Sequence, residues 1–277
     1  MIRLKRRRGP TQVPKRFQVP KTTEAAKVLA TIYYGAQTTG KYAFDSGAWT
    51  AAKRVLKADT GGKCAYCEAS TQIVAHGDVE HFRPKSVYWW LAFVFDNYLF
   101  SCQICNQSYK GDKFPIAGAV LAPPAMPPAM PAGATLAGLL ASLVIEATAV
   151  TDDQIRALWN IEDADLPNPY LEDPEILFSY EADDLNREIW LRSTGSARAD
   201  RALAAVEGIL GLNREDLRRQ RYADYRSFFL LRATLGQLKP DLRQEVLGEL
   251  RLQQSQKQPF AGMKRYFARA WDLPGPL

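Results

Sequence analysis

The chain has 277 residues, of which 47% are hydrophobic and 24% are charged, so it can bury a core without disulfides. Its formal net charge of +6 favours polyanionic partners such as nucleic acid. No apolar run reaches the roughly 18 residues of a membrane span. The basic N-terminus also lacks the apolar segment of a signal peptide, and we therefore expect a cytoplasmic protein.

The N-terminal segment is strongly basic. Eight lysines and arginines precede the first acidic residue, Glu24, and such a block predicts a flexible basic arm over residues 1–23. Apolar residues with helical spacing then predict helices over 24–34 and 46–58. We expect these helices to pack beside the segment that follows, within one folded core over residues 24–116.

Two C-x-x-C pairs, Cys64–Cys67 and Cys102–Cys105, hold all the cysteines of the chain. In a reducing compartment this pattern indicates metal binding, and four thiolates suit tetrahedral zinc. A site with four thiolates has no position for water, so the zinc is predicted to be structural. A redox pair and buried free cysteines are the alternatives, but neither explains two matching pairs around a polar cluster. Many such zinc frames only bind nucleic acid or protein, so the cysteines alone do not predict an enzyme.

The polar cluster contains Glu80-His81, then Asn97 five residues before Cys102, and Asn106 directly after Cys105. Each residue taken singly has a structural explanation, as a loop histidine, a turn former or a helix cap. Their joint placement between and beside the cysteine pairs resembles the HNH endonuclease motif.

The HNH resemblance implies a β-hairpin followed by a helix, the ββα-metal or His-Me finger core, inside an α+β fold that is mainly α. By position in the motif, His81 would be the general base, Glu80 and Asn106 would bind a catalytic Mg²⁺ or Mn²⁺ ion, and Asn97 would brace the loop that holds His81. Consecutive strand residues point to opposite faces, so we expect a distorted strand end at Glu80 and His81.

These residue types suit phosphodiester hydrolysis. Histidine, with an ordinary pKa of about 6.5, can accept a proton at neutral pH. Oxygen ligands favour Mg²⁺ or Mn²⁺, which relieve negative charge at the phosphate. Substrate contacts are predicted for Arg83, Lys85 and Lys110, the last because it follows Asn106 by four residues on one helical face. His76 fits no position of the motif and is predicted to be a surface or packing residue.

A longer string over about residues 60–115 resembles one branch of the HNH family, the nuclease subunits of Septu-type anti-phage defence systems, including retron-linked ones. The string comprises Cys64-Ala-Tyr-Cys67-Glu68, Glu80-His81-Phe82-Arg83-Pro84-Lys85, Ser101-Cys102, Cys105-Asn106 and Lys113-Phe114-Pro115. This resemblance implies an ATPase partner of the SMC or ABC kind and a DNA substrate, with RNA as the alternative. Two other interpretations stay open: a non-catalytic, zinc-stapled subunit that binds nucleic acid or a partner, and a stand-alone HNH nuclease of the restriction type.

The rest of the chain is predicted to be a linker followed by helices. Repeated proline and alanine over residues 117–135 indicate a linker or an insertion. Residues 136–277 form a helical C-terminal region, with a core helix from Leu136 to Val150 and further helices over about 196–211, 213–235, 240–254 and 260–270. Arg214, Arg218 and Arg221 share a helical face, which we interpret as solvated, with a phosphate-binding stripe as the alternative.

Overall fold

A computed structural model describes residues 1–71 and 76–276. Helices dominate this part of the chain: α1 (Lys21–Thr39), α2 (Gly47–Thr50), α3 (Lys53–Asp59), α4 (Gly133–Ser142), α5 (Asp152–Trp159), α6 (Ala197–Leu210), α7 (Glu215–Thr234), α8 (Pro240–Gln253) and α9 (Ala261–Ala270). In these residues no helix has both the length and the apolar character that crossing a bilayer requires.

The described residues also form two small antiparallel sheets of two strands each. Strand β1 (Asp78–His81) pairs with β2 (Tyr98–Ser101), and β3 (Phe178–Asp183) pairs with β4 (Glu188–Ser193). The prediction of an α-rich fold with a minor β component is therefore confirmed. The β3–β4 hairpin was not predicted, although its alternating apolar residues carried a signal: Phe178 and Tyr180 on β3, and Ile189 and Leu191 on β4, are all buried.

Local signals fix several helix ends. The side chain of Thr151 accepts a hydrogen bond from the main chain of Gln154, whose side chain accepts one in return, so a capping box begins α5. Helix α6 ends at Leu210 and is capped by Gly211, where φ is +58°. The four predicted C-terminal helices correspond to α6, α7, α8 and α9. The predicted core helix after Leu136 is shorter than expected, because α4 ends at Ser142.

The first eight residues do not form a flexible arm; that prediction is wrong. Ile2, Leu4 and Arg6 are buried and alternate with three exposed basic residues, Arg3, Lys5 and Arg7. This period of two is the pattern of an extended segment with one face in the core. Its hydrogen bonds are long-range, including one from the main-chain nitrogen of Leu4 to the carbonyl oxygen of Pro169 at 2.8 Å.

The buried basic groups of this segment have specific partners. Nη2 of Arg6 donates to the carbonyl oxygen of Tyr98 at 2.8 Å, and its guanidinium lies 3.7 Å from the ring centroid of Tyr170. Arg8 pairs with Asp96 at 2.5 Å. Charge alone predicted an arm, but burial of the intervening apolar residues brings these guanidinium groups against carbonyl and carboxylate oxygens instead.

The arginine face of α7 is likewise not solvated. Arg221 is 3% exposed and donates to the carbonyl oxygen of Leu212 at 2.8 Å. Arg218 pairs with Glu188 at 2.9 Å and stacks on Trp190 at 3.9 Å. The prediction of a solvated stripe was wrong because the unpredicted β3–β4 hairpin packs against this helix.

The apolar core places the β1–β2 sheet between two clusters. Leu99 belongs to the largest cluster, which also contains three of the cysteines and residues of β3, β4, α6, α7 and α9. Tyr98 and Phe100 point the other way, into a cluster with Val55 and Leu56 of α3. Both faces of the sheet are therefore covered, and the open edge of β1 remains as the place for a site.

Candidate functional site

The four cysteine sulfurs converge at one point. All lie within 4.8 Å of one another, and the Sγ atoms of Cys67 and Cys102 are 3.9 Å apart. A tetrahedral zinc ion with Zn–S bonds of about 2.3 Å requires sulfur atoms roughly 3.8 Å apart. This donor set therefore fits a zinc ion held by four thiolates, as the sequence predicted. Among the described residues, no other group of three or more His, Cys, Asp or Glu ligand atoms is gathered this way.

Short turns present the sulfurs. The main-chain nitrogen of Cys64 donates to Ala69, and that of Glu68 donates to the Cys64 carbonyl, both at 3.0 Å, which closes the first turn. The second pair comes directly after β2 and begins a π-helical segment, Ile104–Lys110. There the nitrogen of Cys105 donates to Sγ of Cys102 at 3.4 Å. Each pair is thus shaped by its own local main chain.

The C-terminal region meets the cysteine cluster at the end of α6. Sγ of Cys105 lies 3.9 Å from the carbonyl oxygen of Leu210. Gly211 follows with its α-carbon against the ring of Tyr109, so close that a β-carbon would lie 2.2 Å from that ring. Arg214 donates to the Gly211 carbonyl at 3.1 Å. The cysteine cluster and the helical region are therefore packed together as one structure.

A cleft of about 430 Å³ runs along β1. All four residues of β1 line it, with α2 and α3 on one side and residues 106–112 on the other. In the described residues β1 pairs only with β2, so its second edge opens into the cleft. The pairing is regular from Asp78 with Ser101 to His81 opposite Tyr98. The predicted distorted strand end is therefore wrong: an open strand edge brings residues of both faces to one cleft without a bend.

On one face of β1, the carboxylates meet the π-helical segment. Asp78 Oδ2 accepts hydrogen bonds from Asn106 at 3.1 Å and from Gln107 at 2.9 Å. Two residues further along β1, Oε1 of Glu80 lies 2.6 Å from Nζ of Lys110. The structure thus brings Glu80 and Asn106 to one cleft and adds Asp78 and Gln107, which were not predicted. The spacing of two between Asp78 and Glu80 was the available signal.

The ammonium group of Lys110 is fully buried and already has partners within the protein. Besides Glu80, it contacts the carbonyl oxygen of His81 at 3.1 Å. Burial raises the pKa of the Glu80 carboxyl, while the charge of Lys110 opposes that rise. The predicted contact between Lys110 and substrate is not what the structure shows, because the lysine faces a carboxylate inside the protein.

His81 has a fixed tautomer. Its Nε2 lies 3.0 Å from the carbonyl oxygen of Ala92, which can only accept a hydrogen bond, so Nε2 carries the hydrogen and Nδ1 keeps a lone pair. Burial lowers the pKa of His81 to about 3, and the ring is therefore neutral at neutral pH. The rings of Trp49 and Tyr98 lie nearly perpendicular to the imidazole, at centroid distances of 4.8 Å and 5.1 Å.

Asn97 connects two stretches of main chain beside His81. Its Oδ1 accepts from the nitrogen of Arg83 at 2.9 Å, and its Nδ2 donates to the carbonyl oxygens of Arg83 at 3.0 Å and Leu91 at 3.3 Å. The side chain of Asn97 is completely buried. The loop that follows His81 is therefore tied to the segment that supplies the Ala92 carbonyl.

The two remaining predicted substrate contacts differ. Arg83 is 2% exposed, pairs with Glu162 at 2.6 Å and stacks on Trp159 at 4.3 Å, so it is a core residue and the predicted contact is wrong. Lys85 is partly exposed, lines the cleft and lies 5.4 Å above the ring of Trp49. Lys53, which the sequence analysis did not select, also lines the cleft. The other histidine, His76, is exposed.

Comparison with known proteins gives one informative match. The chain is 37% identical over 89 residues to Septu protein PtuB of Bacillus mycoides (strain KBAB4). The match covers 27% of this chain and 30% of the relative. No protein-family model and no solved structure matches. Over about a quarter of its length, the chain is therefore related to Septu protein PtuB.

Proposed function

We propose that this protein is a metal-dependent HNH endonuclease that hydrolyses phosphodiester bonds of DNA. In this proposal β1, β2 and the segment Ile104–Lys110 are the ββα-metal core. One observation supports it above the others: an imidazole with its Nε2 hydrogen fixed on Ala92 lines the same cleft as the oxygen donors of Glu80 and Asn106. A free Nδ1 lone pair beside oxygen ligands is the arrangement that metal-assisted hydrolysis requires.

His81 acts in this mechanism as the general base. Its Nδ1 takes a proton from water, and the Ala92 carbonyl stabilises the resulting imidazolium through the Nε2 hydrogen. Asn97 holds the adjoining loop in place. Because burial keeps His81 neutral, it is in the proton-accepting form across the physiological range.

Glu80 and Asn106 would hold a Mg²⁺ or Mn²⁺ ion. The Nδ2 of Asn106 is used by Asp78, which leaves its Oδ1 without a protein donor among the described residues. Carboxylate and amide oxygens are the donors that these ions prefer. When bound, the ion supplies charge relief at the phosphate and at the departing oxygen. Glu80 is already paired with Lys110, so its carboxylate would share that ammonium group with the ion or release it.

We further propose that the protein is the nuclease component of an anti-phage defence complex and acts with an ATPase of the SMC or ABC kind. The similarity to Septu protein PtuB supports the defence assignment over the matched residues. A cytoplasmic location, zinc in the cysteine cluster and DNA as the substrate belong to the same proposal.

The test compares the two histidines of the chain. Wild type, His81→Ala and the control His76→Ala are incubated with DNA or RNA and Mg²⁺ or Mn²⁺, alone and with the co-purified ATPase. We expect His81→Ala to lose about 10²–10⁴-fold in rate, which is the usual contribution of a general base. His76 is exposed, so its variant should cut like wild type. Equal cleavage rates for wild type and His81→Ala would show that His81 is not the general base.

Two other outcomes separate the alternatives. If Glu80→Ala/His81→Ala retains DNA binding and phage protection, the chain is a non-catalytic binding subunit. If the isolated chain cuts a defined DNA sequence efficiently, it is a stand-alone nuclease of the restriction type.

A further inference from the structure

A row of positively charged residues on the exposed side of α3 begins at the catalytic cleft and leads away from it. Lys53 lines the cleft, Arg54 and Lys57 follow on the accessible side of the helix, and no acidic residue occurs between Asp45 and Asp59. Residues three and four apart lie along one side of a helix, so these charges form a line. We call this line, together with the groove described next, the α3 track.

The line of charges on α3 leads to a second groove of about 620 Å³, which is the other part of the α3 track. The groove lies at the last turn of α3, and its cationic lining includes Lys5 and Arg7 of the N-terminal segment and Lys257. Its two carboxylates are already neutralised, since Asp59 pairs with Arg7 at 3.2 Å and Asp152 pairs with Arg8 at 2.7 Å. The groove therefore has an excess of positive charge.

Five cationic side chains of the track have no ion-pair partner inside the described part of the protein. In the described part of the chain, no carboxylate lies within ion-pair distance of these five side chains: Lys5, Lys53, Arg54, Lys57 and Lys257. Nη1 of the buried Arg6, which also lines the groove, has no hydrogen-bond partner among residues 1–71 and 76–276. A row of like charges without partners inside the protein creates a local positive potential, which attracts a polyanion such as a phosphate backbone.

We infer that the α3 track binds the phosphate backbone of a DNA duplex whose scissile bond lies in the cleft at β1. This inference rests on the proposed function. Helix α3 has seven residues. At about 1.5 Å per residue and about 3.4 Å per base-pair step, it spans about three steps of the duplex. The groove then contacts phosphates beyond those steps, on the side of the N-terminal segment.

The experiment measures binding without cleavage. The parent for this experiment is the 277-residue chain carrying His81→Ala. The buffer contains no Mg²⁺ or Mn²⁺, which prevents cleavage, and no EDTA, so that the cysteine cluster keeps its metal. The protein is titrated onto a fluorescent duplex between about 50 and 200 mM salt, a range over which phosphate contacts control affinity. The test variant adds Lys5→Gln, Lys57→Gln and Lys257→Gln, none of which lines the catalytic cleft. The matched control adds Arg187→Gln, Arg219→Gln and Arg226→Gln, which line another basic groove beside α7.

The slope of log K against log salt is negative, and each phosphate that a lysine no longer neutralises reduces its magnitude by about 0.9. We therefore expect the slope of the test variant to be smaller in magnitude than that of the parent by about 2 to 3. The control should bind with the slope of the parent. In the cleavage-competent background, the same three changes should raise KM and leave kcat unchanged, because they remove binding shared by substrate and transition state.

The outcomes separate this inference from the proposed function. If the parent binds the duplex and the test variant keeps the parent slope, the α3 track is overturned while the nuclease proposal stands. If control and test variants weaken binding equally, the track has no special role. If the parent does not bind duplex DNA even at the lowest salt, DNA as substrate and the track are both overturned.

Discussion

The ammonium nitrogen of Lys110 lies 2.6 Å from Oε1 of Glu80, and both side chains are buried. A lone carboxylate at this depth would be strongly disfavoured, and the ammonium compensates it. The pair also connects β1 to the last residue of the π-helical segment, because Lys110 contacts the main chain of His81. Lys110 therefore stabilises the arrangement of β1 instead of extending into the cleft.

Loss of one partner should be more costly than loss of both. Lys110→Met leaves the Glu80 carboxylate buried without a counter-charge, and we expect a loss of about 3–5 kcal/mol in the free energy of unfolding. The double variant Glu80→Gln/Lys110→Met should recover part of it, since neither charge remains. Urea unfolding of the wild type, both single variants and the double variant measures this. A Lys110→Met protein as stable as wild type would contradict the pairing.

Metal removal should disrupt the region around the cysteines. We expect about one zinc per chain, as suits four thiolates. Cys102→Ser should lose the metal and lower the melting temperature, because metal binding contributes to folding. Ser108→Ala, an exposed change in the neighbouring segment, should keep both. Metal analysis by mass spectrometry with thermal unfolding tests this, and a folded wild-type protein without zinc would refute it.

Asp59 should make stability depend on pH. Burial raises its pKa to about 6 despite the nearby Arg6, Tyr170 and Arg7. The folded state therefore holds a proton that the unfolded state has lost above its pKa of about 4, so stability decreases as pH rises from about 4 to about 6. Two pKa units correspond to roughly 3 kcal/mol.

Asp59→Asn should remove this contribution and make the protein more stable than wild type at pH 8. Tyr170 donates to Oδ2 of Asp59 at 3.1 Å, and an amide oxygen can accept the same bond. Urea unfolding from pH 4 to pH 8 measures the difference. Asp112→Asn, at an exposed carboxylate, serves as control. A wild-type stability that rises steadily over this range, with Asp59→Asn following it, would contradict the shift.

Two glycines of the α6 region should respond in opposite directions to alanine. Gly211 has φ +58°, and a β-carbon there would lie 2.2 Å from the ring of Tyr109. Gly211→Ala should therefore cost at least about 1–3 kcal/mol and loosen the contact between α6 and Cys105. Gly208 lies inside the helix with open space around it, so Gly208→Ala should stabilise by about 0.5–1 kcal/mol. Thermal unfolding of both variants decides this, and equal effects would contradict the close approach.

The features that the sequence predicted well are local ones. The C-x-x-C pairs are each closed by their own turns, so their spacing alone indicated a metal cluster. Caps and helical periodicity located the four C-terminal helices. The strands near Glu80 and Asn97 followed from the HNH resemblance, whereas the β3–β4 hairpin was missed because helical patterns on both sides of it dominated the region.

The tertiary structure alone decided what each charged residue does. Arg83, Lys85 and Lys110 looked equally suited to bind phosphate, yet Arg83 meets Glu162 and Lys110 meets Glu80, while Lys85 stays at the cleft. The partner of Arg83 is 79 residues away along the chain. The free energy of a charge depends on its burial and on nearby opposite charge, and both are set by contacts between distant segments. Spacing along the chain therefore determined which cysteines cluster, and folding determined which basic groups remain exposed in the cleft.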